Sequence, residues 1–138
     1  MGDRGAPPLV DGLFRVDPDG VTLLGGRSRS SGLSHFPRQP VCPYTGADDV
    51  EPVDLPRVGT LWQVTEVTAS PPGYAGPVPY GLGIVVLEGG LRVVGRVLGD
   101  PPGAIPVGTA MEVVADVVPD GDGEPATIWA FAPGGPRP

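Results

Sequence analysis

A chain of 138 residues with 40% hydrophobic content is long enough for one domain with a true core. Its 23 glycines and 20 prolines punctuate short apolar runs without forming a repeat, which points to a turn-rich β protein. A net charge of −7 opposes binding to a phosphate backbone, and the lack of any lysine excludes Schiff-base chemistry on this chain. The single cysteine, Cys42, has no internal disulfide partner. No run approaches membrane-spanning length, and Met1-Gly-Asp-Arg lacks the apolar continuation of a signal peptide. The expectation is a cytoplasmic protein with no membrane contact, and the Arg-only, Ala/Gly/Pro-rich usage suits a GC-rich bacterial genome.

Residues 1–20 read as an N-terminal arm. Leu9, Val10, Leu13 and Phe14 recur at spacings of three and four, which predicts a short amphipathic helical turn. Such a turn has no stability of its own and must dock on its own domain or on a partner. The first fourteen and last six residues are otherwise expected to be loose. Asp17-Pro-Asp-Gly20 is a turn, and Val21–Leu24 a short strand.

Residues 21–56 carry an unusual pattern. A rubredoxin-type zinc knuckle pair has the form Cys-x-x-Cys-Gly, a short β segment, then Cys-Pro-x-Cys-Gly. Ser28, Ser31, Cys42 and Thr45 stand at its four ligand positions, with Gly32, Pro43 and Gly46 in place. Hydroxyls are poor zinc ligands beside thiolate and imidazole. The segment therefore reads as a degenerate zinc ribbon, with vestigial metal positions and no metal. Gly32-Leu-Ser34-His35-Phe36 is not a nucleophile elbow, because it ends in Phe and Pro37 blocks the helix that must follow. Cys42 reads as a leftover ligand position and not as a catalytic thiol.

Residues 57–133 give five strands. Val58–Thr68 is long, with neither face purely apolar. Ala69–Pro79 is a Pro/Gly loop carrying Tyr74, and Tyr80 follows it. Leu82–Leu98 is a hairpin turning at Glu88-Gly89-Gly90. In its second half Arg92, Val94 and Arg96 share one face, and Leu91, Val93, Gly95 and Val97 the other. Gly95 in mid-strand suggests a bulge or a sharp bend. Thr109–Val118 and Ala126–Ala132 form a last hairpin across Asp120–Gly123, with Trp129 and Phe131 on one side. The order predicts an all-β protein with a five-stranded Greek-key OB barrel over 57–133, a small sandwich being the alternative. Residues 134–138 read as a disordered tail.

The order of these features resembles the acyl-CoA-associated OB-fold family, domain of unknown function 35, with its N-terminal rubredoxin-like ribbon. The matching residues are Leu23-Leu-Gly-Gly-Arg27, Phe36-Pro37, Cys42-Pro43, Gly59-Thr-Leu-Trp62, Pro79-Tyr80, Leu91-Arg-Val-Val-Gly-Arg96, Val107-Gly108 and Phe131-Ala-Pro133. They run from about Pro8 to Pro133, and the departure is the loss of three of four zinc ligands. Members typically form complexes with thiolase-like enzymes. These include archaeal acetoacetyl-CoA thiolases and the lipid-transfer-protein-like thiolases and aldolases of actinobacterial steroid side-chain breakdown.

The resemblance implies a non-catalytic accessory subunit. It would bind and stabilise a thiolase-fold enzyme, in a hetero-oligomer of two plus two chains, and help form its acyl-CoA channel. Leu9, Leu13, Phe14, Tyr74 and Tyr80 are the candidates for partner binding. Arg92 and Arg96, roughly 13 Å apart at four residues' rise, are candidates for CoA phosphates, solvated edge arginines being the alternative. Catalytic residues and cofactors are expected to be none. A single-stranded nucleic-acid OB module is the alternative function, but it needs strand aromatics and a basic groove, and a free-standing enzyme needs a convergent acid/base set.

Overall fold

The computed structural model describes residues 6–72 and 76–134, and these contain nine strands and no helix. The N-terminal sheet is built from β1 (Phe14–Asp17), β2 (Gly20–Ser28), β3 (Ser34–His35) and β4 (Val50–Asp54), with β2 pairing antiparallel to each of the other three. The remaining strands are β5 (Val58–Val67), β6 (Tyr80–Leu87), β7 (Arg92–Val97), β8 (Ala110–Pro119) and β9 (Pro125–Pro133). They close into a barrel in the order β5-β6-β7-β9-β8, parallel only between β7 and β9. This is the five-stranded OB barrel that the order of runs and turns predicts. Among the described residues, no helix is long and apolar enough to cross a membrane.

The alternation read in the hairpin holds. Val93, Gly95 and Val97 point inward, while Arg92 and Val94 are exposed. The expected bulge is elsewhere. Gly95 pairs in register with Gly83, and the irregularity lies in β5, between Leu61 and Gln63. Gly95 serves close approach instead: a Cβ there would stand 2.8 Å from both Phe131 Cε2 and Trp129 Nε1.

The expected helical turn at Leu9–Phe14 does not form. Pro8 bridges Thr127 in parallel; the Leu9 amide donates to Thr127 O at 2.8 Å and the Thr127 amide to Pro7 O at 2.7 Å. Two consecutive prolines hold the chain extended and offer no amides for a helix. Gly12, at φ 84°, then turns it into β1. The described part of the arm is thus docked on β9 and not loose.

Sheet and barrel share one core. Phe14, Val21, Leu23 and Leu55 from the sheet are continuous with Leu61, Val85, Leu87, Val93, Val97, Met111, Val113 and Phe131 of the barrel. Each large side chain buried this way contributes about 1.5–3 kcal/mol. Trp129 lies at the seam, its ring 6.1 Å from Phe14 and 5.4 Å from Phe36, the latter edge-on. Arg57, at the mouth of β5, donates to Asp17 at 2.7 Å and to Thr22 Oγ1 at 2.8 Å, tying the β1–β2 hairpin to the barrel.

Candidate functional site

Two places bring the candidate residues together. The first is the ribbon. The turns Ser28–Gly32 and Cys42–Gly46 have the same shape: Gly32 N donates to Ser28 O at 2.8 Å and Gly46 N to Cys42 O at 2.9 Å. Both glycines take a positive φ, 73° and 75°. Between them the four vestigial positions converge. Ser28 Oγ donates to Asp49 Oδ1 at 2.7 Å and accepts from Ser31 N at 3.4 Å. The buried Cys42 thiol is hydrogen-bonded by Thr45 first and also by Ser31, which holds it below its ordinary pKa. The Asp49 carboxyl is likewise held below the usual carboxylate range by hydrogen bonds from Ser30 and Ser28. One thiol and three hydroxyls do not make a zinc donor set. Among the described residues no three His, Cys, Asp or Glu side chains gather where a metal ion could be held.

Next to this cluster His35 is only 2% exposed, and its Nε2 accepts from the Gln39 amide at 3.2 Å. A Cβ on Gly26 would meet that nitrogen at 2.7 Å. The ring fills the space over a glycine in β2, as a core spacer does.

The second place is the outer face of β5–β6–β7. Because β6 begins at Tyr80, its outward row is Tyr80, Leu82, Ile84 and Val86, all half-buried. Beside it stand Val94, 55% exposed, and Trp62, 41% exposed. Trp62 is turned outward at the β5 bulge, a re-aiming that bulges commonly perform. The Arg92 guanidinium lies over the Trp62 ring, 4.2 Å from its centroid. The Arg96 guanidinium lies 4.7 Å from the Tyr80 centroid and pairs with Asp116 at 3.2 Å.

This geometry corrects several expectations. Arg96 is not an edge residue, since β7 is paired there with both β6 and β9, whereas Arg92 is paired with β6 alone. Arg96 has its charge matched by Asp116 and a side chain only 16% exposed, so a CoA phosphate would have to displace an ion pair. The hairpin does carry an aromatic, Tyr80, but that ring and Trp62 each have a guanidinium over one face instead of a nucleobase. Phe14 is 7% exposed within the shared core, and Leu13 packs against that core, so neither offers an apolar side chain to a partner in this conformation. Leu9 and Tyr80 lie on one groove. Together with Pro72, Leu82, Arg96 and Ile128 they line it beside the turn at Asp120-Gly121. Tyr74 lies outside the described residues. Sequence reasoning passed over Trp62, Asp49 and Asp116, whose partners are fixed by a bulge or lie far along the chain.

Residues 52–116 match the family described as the C-terminal OB-fold domain of ChsH2. A DUF35 domain-containing scaffold protein of Pyrococcus furiosus is 27% identical over 127 residues, covering 92% of this chain and 93% of that protein. The chain is thus similar to DUF35 proteins over nearly its whole length, and to the ChsH2 OB-fold domain over 52–116. A DUF35 scaffold protein of Methanocaldococcus jannaschii is 28% identical over 102 residues, 72% of each chain. Among solved structures, a chain of the Ltp2–ChsH2(DUF35) aldolase superposes with a TM-score of 0.60 at 26% identity, covering 81% of this chain and 84% of that one.

Proposed function

We propose that this chain is a non-catalytic accessory subunit that binds and stabilises a thiolase-fold acyl-CoA enzyme and helps form its acyl-CoA channel. The observation that carries the reading is the likeness, over 81% of the chain, to a chain of a two-component Ltp2–ChsH2 aldolase. Its curated relatives are named scaffold proteins, which supports a role in assembly and not in turnover. The partner is an aldolase or thiolase of the kind that shortens steroid side chains. The complex is a cytoplasmic hetero-oligomer of two plus two chains.

The outer face of β5–β6–β7 suits such a role chemically. It sets an exposed Trp and an Arg beside an apolar strand row, and these residue types dominate the energetic centres of protein interfaces. Leu9 and Tyr80 extend this face into the adjoining groove.

Co-expression with a thiolase-like enzyme from the same genome, followed by size-exclusion chromatography and crosslinking, tests the reading. The expected result is co-elution, with acyl-CoA turnover by the complex and none by the purified single chain. A strictly separate elution would remove the assignment, as would turnover by the single chain.

A further inference from the structure

We infer that the paired turns form a metal-independent ribbon in which the Asp49 carboxylate, carried just after the second turn, holds the first turn in place of the zinc ion that joins the two knuckles of a four-thiolate site. The inference rests on geometry alone and stands apart from the proposed partner. Asp49 follows the second turn in sequence and reaches back to the first. Its Oδ1 accepts from Ser28 Oγ at 2.7 Å and its Oδ2 from the Ser30 amide at 2.7 Å. Its own carbonyl accepts from the Arg29 amide at 3.3 Å.

In a knuckle the turn amides point at a thiolate whose charge the metal balances. Here one amide of the first turn points at a carboxylate, and the Ser31 amide points at Ser28 Oγ, which is itself bonded to that carboxylate. Negative charge is retained at the place where the amides need it, and the cation is dispensed with. Ser28, wholly buried, is the residue through which the first turn meets Asp49. The donor set disagrees with zinc, yet the turn geometry is intact, so the cage remains convertible.

The test uses the full chain. Purified wild-type protein is expected to hold no stoichiometric zinc and to melt at the same temperature with and without a chelator. Asp49→Ala should lower Tm by roughly 5–10 °C, the scale of charge-assisted hydrogen bonds lost in a domain of this size. Asp48→Ala, an exposed neighbour, should shift it by no more than about 2 °C. The triple variant S28C/S31C/T45C should take up one zinc per chain, and with zinc bound the Asp49→Ala shift should fall to less than half. One zinc per wild-type chain, a chelator-sensitive wild-type Tm, or equal shifts from Asp49→Ala and Asp48→Ala would each overturn the inference. So would an undiminished Asp49→Ala shift in the zinc-loaded triple variant. If the triple variant does not fold, the wild-type zinc content and the two single substitutions still decide it.

Discussion

A methyl group added at Gly95 has nowhere to go, because Phe131 and Trp129 already lie 2.8 Å from where it would sit. Gly95→Ala is therefore expected to cost about 1–3 kcal/mol, the scale of overpacking a filled core. Thermal denaturation measures it, and an unchanged Tm would mean that the two rings can shift. At the same scale, Asp17 and Asp54 are hydrogen-bonded to Arg15, with Thr22 also on Asp17, and both carboxyls lie below the usual range. A carboxyl depressed in the folded state stabilises the protein above its unfolded pKa, and loses that contribution as pH falls through the folded value. Stability is thus expected to be flat from neutrality down to about pH 4 on account of these groups and to decline below it. Asp17→Asn should weaken the protein at pH 7 and flatten the acid limb of a Tm-versus-pH curve. An acid limb of unchanged slope would place the responsible carboxylates elsewhere.

Among the elements, the arm is the one whose conformation its sequence conceals. Leu9, Val10, Leu13 and Phe14 fit a helical spacing, but Pro7 and Pro8 remove the amides and Thr127 supplies an extended partner more than a hundred residues away. Deleting residues 1–9 should leave the barrel folded while speeding amide exchange at Thr127, whose N–H donates to Pro7. Exchange at the Leu98 amide, which donates to Phe131, should not change.

The barrel strands were legible because strict alternation and glycine-bounded ends are local signals, as in Arg92–Val97. The ribbon turns were legible through Gly32 and Gly46, whose positive φ few other residues tolerate. Asp49 was not legible, because its meaning depends on a turn 21 residues earlier. Nor was the place of Trp62, since alternation puts it on one face with Val64, and the bulge after Leu61 parts the two, leaving Trp62 exposed and Val64 packed on the core. On the outer face, Val94→Glu should leave Tm within about 1 °C, as exposed substitutions usually do, yet weaken capture of the enzyme partner by tenfold or more. Undiminished capture would move the interface to another face.

The molecule as a whole has a single hydrophobic interior, running from Val21 and Leu23 through Phe14 to Phe131 and Met111. One cooperative transition is expected, with calorimetric and van't Hoff enthalpies in agreement. A fragment spanning 57–134 would expose Trp129 and the seam under Phe14, and is expected to lack a cooperative melt. Two separate transitions in the full chain would mean that the sheet and barrel are energetically independent.

Closure of the barrel bears on what happens when the chain is made faster than anything it assembles with. Each of its five strands has a neighbour on both sides along at least part of its length, so no barrel strand offers a full-length open edge to another molecule. The N-terminal sheet has edge strands too, of which β1 is four residues long and carries Arg15 and Asp17, and β4 is interrupted by Pro52. Both are poor seeds for a fibril, so surplus chain should persist as dispersed molecules, and supply of the two gene products need not be matched in time.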